Sequence, residues 1–548
     1  MKNILKQITD RRLDDIAEKG WSYGHKIPEC RSRCLAPFLL DPGVILEIKR
    51  ASPSKGDIAP LLDVEKTARA YIDAGARAIS VLTEENYFKG SLEDLMLVSK
   101  IAPETVAVLR KDFLLDANDI EISYKCGADA VLLIARILET EKLLEMAEKA
   151  FSLGLSILLE LRDGEAVLKA FEVLRLAKKM NAEHKVVLGV NARDLKTFAI
   201  DMLIPLKIKS AIEKKCASLP ENERPVKIRV ISESGVLSSD SASFTASLGF
   251  DGLLIGEAVA KNPDEAKNFV QGFAKNAIGS QFGRSDYASQ TKIGGDSGKA
   301  ALSSPFEKSG NSAQFWKRIS EKLLFIEQEK KYRPLVKICG ITNPKDALFA
   351  TECGADILGF IMEKKFDRHI CLEDVPRIKN DVDELCRSKK IEPPLFVGVV
   401  TMAESDEALI AKKYVEDRVL DAIQFHGCDG NAFYGYEAMR LGSEEQIQIL
   451  KETFSRGNVR VLIDAYIPNV AGGTGARISD PLVKMAKECG CLWLAGGINP
   501  QNVKDVIEKY KPELIDVSSG VEKSIGKKDE GALKQLFDMI HTFPCCCE

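Results

Sequence analysis

The feature that most constrains this chain is a rhythm that occurs twice. Short apolar runs rich in β-branched residues alternate with amphipathic helical stretches. In the first half the runs are "VILEIK" (44–49), "AISVLT" (78–83), "VAVLRK" (106–111), "AVLLIA" (130–135), "SILLEL" (156–161), "VVLGVN" (186–191), "IRVISES" (228–234) and "GLLIGE" (252–257). Between them lie segments with helical spacing of apolar residues, such as "DVEKTARAYIDAGA" and "ETEKLLEMAEKAFSLG". Strand and helix alternating at this period imply right-handed βαβ units and a parallel sheet. Eight such units in about 270 residues predict one closed (β/α)8 barrel. The second half repeats the pattern with "LVKICG" (335–340), "ILGFIM" (357–362), "LFVGVV" (395–400), "DAIQFHG" (421–427), "VRVLIDA" (459–465), "CLWLAGG" (491–497) and "LIDVSSG" (514–520). The weaker "YEAMRL" (436–441) supplies the missing fifth run.

The expected fold class is therefore α/β, two consecutive (β/α)8 TIM barrels joined by a flexible linker. A length of 548 residues exceeds one ordinary core and agrees with this division. The domains are read as 1–275, a linker and helix at 276–333, and 334–548. Residues 280–314 are dominated by Gly, Ser, Lys and Asp without apolar period, the composition of a flexible linker. A charged amphipathic helix over 315–332 then leads into the second barrel. The net charge of −4 gives no global pull toward nucleic acid or anionic membrane. No apolar stretch has membrane-spanning length, and the charged start is unlike a signal peptide. The expectation is a cytoplasmic protein. Its 14 cysteines are scattered, often inside apolar runs, and read as buried thiols. Neither Cys30/Cys34 nor the tail Cys545–Cys547 has a histidine at zinc spacing, so no metal is expected.

In such barrels, chemistry gathers at the carboxyl ends of the strands. Side chains alternate between the faces of a strand, so Glu47 and Lys49 share one face, aimed at the barrel mouth. Lys111 ends the third run, with Asp112 and Phe113 just beyond. Glu160 ends the fifth, Asn191 and Arg193 the sixth, and Glu233 and Ser234 the seventh. Burying this many charges is costly unless they are paired or serve a ligand. Gly235 and Gly256 close the last two runs, where backbone N–H groups bind a phosphate in many barrels. Lys55 lies past the first strand, in a loop with Ser52, Pro53, Ser54 and Gly56, and reads as a mobile loop residue.

The segments "LEIKRASPSKG", "VLRKDF", "LLEL", "GVNARDL", "ISESG" and "LIGEA" resemble, in order and spacing, indole-3-glycerol-phosphate synthase over roughly residues 1–270. That resemblance implies a barrel of the ribulose-phosphate-binding type. It also implies conversion of 1-(2-carboxyphenylamino)-1-deoxyribulose 5-phosphate to indole-3-glycerol phosphate, with loss of CO2 and water. Lys111 matches the family's general acid, and its surroundings are expected to lower its pKa toward a useful value. Glu160 matches the base that assists dehydration. Lys49 matches the cation that holds a substrate anion, and Glu47 and Glu233 would orient the lysines. Asn191 and Arg193 match residues that position the anthranilate moiety and the acid–base network. Phe113 matches a substrate contact. Ser52, Ser234, Gly235 and Gly256 would line the phosphate and loop side. Glu257 stands where several relatives have Ser, and its side chain is expected to point away from the phosphate.

In the second half, Cys339 ends the first strand and Asp464 ends "VLIDA" across the barrel. A thiol and a carboxyl so placed can act as base and acid across a small sugar. "GGTG" (472–475) lacks the Lys-Ser/Thr of a nucleotide P-loop, so ATP is not expected. Backbone donors at the glycines of the last two loops suit a sugar phosphate. "KICGITNPKDA", "GADILGFI", "FVGVV", "IQFHG", "GGTG", "LAGGINPQNV" and "DVSSGVE" resemble phosphoribosylanthranilate isomerase from about residue 334 to 540. The resemblance implies an Amadori rearrangement of N-(5-phosphoribosyl)anthranilate. Asp464 would protonate the ring oxygen, and Cys339, as thiolate, would remove the C2′ proton. Arg368 would hold the anthranilate carboxylate, although Phe366-Asp367 replaces the family's Ser-Pro before it. Gln424 and His426 match substrate-side positions, and for His426 a structural hydrogen-bonding role reads equally well. Gly472, Gly473, Gly475, Gly496, Gly497, Ser519 and Gly520 would bind the phosphate.

The product of the second barrel is the substrate of the first, so the two resemblances together imply a bifunctional enzyme of tryptophan biosynthesis. Neither reaction formally needs a redox cofactor or a metal. The expected partners are small phosphosugar-anthranilate substrates alone, and the expected state is a monomer. A second reading keeps the first barrel active and has the second impaired or regulatory.

Overall fold

A computed structural model of the chain describes residues 4–193, 200–277, 312–329, 332–428, 433–455, 458–465, 477–490 and 492–542. They form two compact units, divided near residue 308, with residues 201–203 grouped with the second.

The first unit is a closed parallel barrel of β1 (Gly43–Ile48), β2 (Ala78–Leu82), β3 (Ala107–Lys111), β4 (Ala130–Ile134), β5 (Ser156–Leu161), β6 (Val186–Asn191), β7 (Arg229–Glu233) and β8 (Gly252–Ile255). Each strand pairs with its neighbours in sequence, and β1 closes on β8 through Val44 opposite Leu253. The side-chain period of two divides the core into two layers. Ile45, Leu109, Leu132, Leu158, Ile231 and Leu254 fill the interior. Val44, Leu46, Ile48, Val81 and Val108 face outward under the helices. This alternation sends Glu47, Lys111, Glu160 and Glu233 inward, one step beyond the interior apolar layer.

A helix precedes the barrel, α1 (Ile4–Lys19), whose Leu5 and Ile8 are buried in the same cluster as the barrel interior. Arg12 anchors it, donating to Asp112 at 2.8 Å and Asp119 at 2.7 Å.

The second unit is also a closed parallel barrel, with β9 (Leu335–Cys339), β10 (Ile357–Ile361), β11 (Leu395–Val400), β12 (Ala422–His426), β13 (Gly435–Leu441), β14 (Val461–Ala465), β15 (Trp493–Ala495) and β16 (Leu514–Val517). The weak fifth run is a full strand. A helix, Ala313–Gln328, precedes it and takes in two residues that the composition assigned to the linker. Its Phe315 stacks on Tyr436 at 5.7 Å and its Trp316 on Trp493 at 5.9 Å, so it belongs to the packing of this barrel.

No described helix is long and apolar enough to cross a membrane. The reading of the cysteines as buried thiols is corrected. Cys126, Cys339 and Cys386 are buried, but Cys30, Cys34 and Cys371 are exposed, because they lie in loops rather than in the apolar runs. Residues 278–311 and the tail cysteines lie outside the described residues.

Candidate active sites

The strands of the first barrel bring Glu47, Lys49, Lys111, Glu160, Asn191, Arg193 and Glu233 to one cavity of about 110 Å³. Ser52, Phe113, Ser234, Gly235, Gly256 and Glu257 line the same cavity. Lys111 is its centre. Its Nζ lies 3.3 Å from Glu233, 3.9 Å from Glu160 and 4.0 Å from Glu47. Asn191 donates to Glu160 at 3.3 Å, and Lys49 sits 3.5 Å from the other oxygen of Glu47.

The electrostatics correct one expectation. Burial alone would push the Lys111 ammonium down, but Glu233, Glu47 and Glu160 outweigh it and hold the lysine above its usual range. Lys49 shifts the other way. Burial lowers it, Glu47 opposes, and the charges of Lys111 and Arg193 add to the lowering. Burial also raises the Glu233 carboxyl to about 7, against the pull of Lys111 and with the repulsion of Glu160. The cavity thus holds one firmly charged lysine, one weakened lysine and a carboxyl that titrates near neutrality.

Ser234 and Gly235 are both left-handed, at φ 69° and 82°, at the end of β7. A Cβ on Gly256 would lie 2.5 Å from Glu47 Oε1, so a side chain there would displace that carboxylate.

Glu257 lines the cavity and pairs with Lys55 at 2.6 Å, Lys261 at 3.1 Å and Arg193 at 3.7 Å. Lys55 reaches it from a short hairpin of 51–52 with 56–57. Two contributions escaped the sequence reading. Phe88 stands 6.1 Å from Phe113, with Lys49 Nζ 5.4 Å above its ring, and Ile4, Leu5 and Ile8 of α1 line the cavity. The 3–4 spacing of Ile4, Leu5 and Ile8 within a charged start was the available signal.

The mouth of the second barrel is a larger cavity of about 470 Å³. Cys339, Arg368, Gln424, His426, Asp464, Gly496, Gly497, Ser519 and Gly520 all line it. Gly472, Gly473 and Gly475 lie outside the described residues. The last two loops approach closely, since a Cβ on Gly520 would meet Ile498 O at 2.0 Å. Arg368 lies in the cavity despite Phe366-Asp367, and Glu522 fixes its guanidinium by hydrogen bonds of 3.0, 3.1 and 3.0 Å.

Beneath lies a buried network that the sequence reading did not single out. Lys337 Nζ donates to Asp516 and to Gln424, both at 2.6 Å, and lies 3.6 Å from Cys339 Sγ. Tyr436 donates to Gln424 at 3.2 Å. His426 receives a hydrogen bond from Arg440 at 3.3 Å and lies 3.9 Å from Asp464. It therefore bonds to the scaffold as well as lining the cavity.

Burial sets the titration of this mouth. It raises Asp464 to about 6, with the backbone N–H of Ala465 opposing. It lowers His426 to about 4, and Arg440 and Lys337 add to the effect, so the imidazole is neutral at ordinary pH. It also raises the Cys339 thiol, although Lys337 favours the thiolate.

Both barrels have counterparts among known proteins. Residues 32–271 match the indole-3-glycerol phosphate synthase family, and residues 336–539 match the N-(5'-phosphoribosyl)anthranilate isomerase family. A multifunctional tryptophan biosynthesis protein of Schizosaccharomyces pombe is 28% identical over 98% of this chain and 66% of its own length. The chain thus spans about two thirds of that relative. An indole-3-glycerol phosphate synthase of Carboxydothermus hydrogenoformans is 39% identical over 41% of this chain and 76% of its own. Among solved structures, a phosphoribosyl anthranilate isomerase from Thermotoga maritima is 32% identical, covering 38% of this chain and 98% of that one at a TM-score of 0.31.

Proposed function

We propose two consecutive steps of tryptophan biosynthesis for this chain, which belongs to the indole-3-glycerol phosphate synthase family through its first barrel and to the phosphoribosylanthranilate isomerase family through its second. The second barrel isomerises N-(5-phosphoribosyl)anthranilate to 1-(2-carboxyphenylamino)-1-deoxyribulose 5-phosphate. The first barrel converts that product to indole-3-glycerol phosphate, releasing CO2 and water. The domain division goes with this reading, one activity in 1–275 and one in 334–548.

In the second mouth, protonated Asp464 gives its proton to the furanose ring oxygen, and the ring opens to a Schiff base. The Cys339 thiolate takes the C2′ proton, and the resulting enolamine tautomerises to the ketone. Lys337, 3.6 Å from the sulfur, favours the thiolate in an otherwise unfavourable buried place. Arg368 receives the anthranilate carboxylate, and the glycines of the last two loops the phosphate.

In the first mouth, Lys111 protonates the ribulose carbonyl as the aromatic carbon attacks it. The carboxylate leaves as CO2, held until then by Lys49. Glu160, oriented by Asn191, assists loss of the hydroxyl as water. The observation that carries the reading is the single Lys111 within 4.0 Å of Glu47, Glu160 and Glu233 at the carboxyl ends of a closed barrel. The three carboxylates keep Lys111 protonated and lie close enough to return the proton it gives up.

This reading has the protein work as a cytoplasmic monomer on small phosphorylated substrates. Each cavity is lined by residues of one barrel of the same chain.

Separate assays of the two steps in Lys111→Ala and Cys339→Ala test the division of labour. Lys111→Ala is expected to lower indole-glycerol-phosphate formation by a factor of about 100 or more and to spare isomerisation. Cys339→Ala should do the reverse. Either variant abolishing the other barrel's step would overturn the assignment.

A further inference from the structure

Glu257 has no assigned task in ring closure, yet it pairs with three cations at the rim of the first barrel. It opens the short helix Glu257–Lys261 directly after β8. One carboxylate oxygen takes Lys55 at 2.6 Å and Lys261 at 3.1 Å, and the other faces Arg193 at 3.7 Å. The three cations come from three places: the hairpin after β1, the end of β6, and the helix itself. Arg193 lines the cavity, and Lys55 belongs to the loop whose Ser52, Pro53 and Ser54 line it. Ser234, Gly235 and Gly256, the backbone expected to meet the phosphate, line the same cavity as Glu257.

We propose that Glu257 is an internal anion that stands in for the substrate's phosphate monoester. In the empty barrel its carboxylate holds Lys55 at the rim. When the phosphate arrives, Lys55 transfers to it and the carboxylate withdraws toward Lys261. Two anions cannot share this partly buried rim without repulsion, and that repulsion persists because the site is incompletely hydrated. Glu257 is thus a positioning residue that keeps the loop cation oriented while it weakens binding of the phosphate. The cost appears in KM rather than in the chemical step, because the phosphate is remote from the bonds that change. The inference rests on the first-barrel function proposed above.

The test compares full-length wild type with Glu257→Gln and Glu257→Ser. Removing one unit charge a few ångströms from a bound phosphate should tighten binding by about tenfold. KM for indole-glycerol-phosphate formation is expected to fall by that factor, as is the dissociation constant for inorganic phosphate measured by titration calorimetry. The contribution of the second barrel to phosphate binding is common to all three proteins and cancels. In a Lys55→Met background the gain from Glu257→Gln should shrink, since the cation to be released is gone. An unchanged or raised KM and phosphate constant in Glu257→Gln overturns the proposal, as does an absence of phosphate binding in all three proteins. A wild type that binds phosphate but forms no indole product overturns the first-barrel function instead, and the calorimetric comparison still decides the role of Glu257.

Discussion

Lys111 and Asp464 have environments that work in opposite senses, and each makes a prediction. Lys111 is buried, yet Glu233 at 3.3 Å and two further carboxylates keep it charged. Replacing Glu233 by Gln removes the nearest of these charges and lets burial lower the lysine. The alkaline limb of kcat for ring closure should therefore move to lower pH in Glu233→Gln. A limb that stays in place would mean that Lys111 is not the titrating acid. In the second mouth the acid, Asp464, titrates at about 6, below the raised thiol of Cys339. The active form pairs a protonated Asp464 with a thiolate. Below pH 6 the acid is fully protonated, and the thiolate fraction grows tenfold per pH unit. Above pH 6 the loss of protonated acid cancels further growth of thiolate. The kcat/KM for isomerisation should thus rise with unit slope up to about pH 6 and then level off until the thiol itself titrates. A profile that falls from pH 6 upward would refute the pairing. The inward positions behind these predictions were legible, because a strand period of two places Glu47, Lys111, Glu160 and Glu233 by their offset from apolar neighbours. Lys337 was not, although it alternates with Cys339. Its meaning depends on Asp516, 179 residues away, and a one-dimensional pattern does not show which inward residues of different strands meet.

At the scale of elements, α1 shows how a helix without a conspicuous apolar face becomes part of a site. Its charged residues set it apart only from a signal peptide, yet Arg12 is buried on Asp112 and Asp119, and Ile4, Leu5 and Ile8 line the cavity. The pairing was invisible because a buried Arg and a solvated Arg look alike in sequence. Asp112 also accepts from Thr83 at 2.6 Å and Arg110 at 3.1 Å and holds the N–H of Phe113 at 2.8 Å. The α1 anchor therefore runs into the segment that carries Lys111. Arg12→Ala would leave Asp119 without its ion pair and weaken that of Asp112, a loss of about 3 kcal/mol. Denaturant titration should show the first barrel destabilised by about that amount. KM for ring closure should rise as the apolar side of the cavity loosens, with isomerisation unaffected. Equal loss of both activities would contradict a local role for α1. The helix Ala313–Gln328 makes the complementary case. Its period predicted it, but only the contacts of Phe315 and Trp316 with Tyr436 and Trp493 assign it to the second barrel.

Across the whole molecule, the two cavities draw on disjoint sets of residues, from Ile4 to Ala258 in one and from Cys339 to Ile525 in the other. Every described group assigned to a step is thus carried by a single barrel, and the proposed roles borrow no residue from the other. The intermediate that links them is a small, charged, water-soluble phosphate. On the proposed roles, a chain disabled at Lys111 should still make this intermediate, and a chain disabled at Cys339 should still consume it. Mixing Lys111→Ala with Cys339→Ala, each inactive for the overall conversion, should restore formation of indole-glycerol phosphate from phosphoribosylanthranilate. Restoration should follow a lag that shortens as the concentration of the Cys339→Ala chain is raised, because the intermediate must cross the solution. Continuous assay of the indole product in the mixture decides the matter. A mixture as silent as either variant alone would mean that the intermediate is not delivered through solvent, and that covalent fusion of the two barrels is itself part of the mechanism.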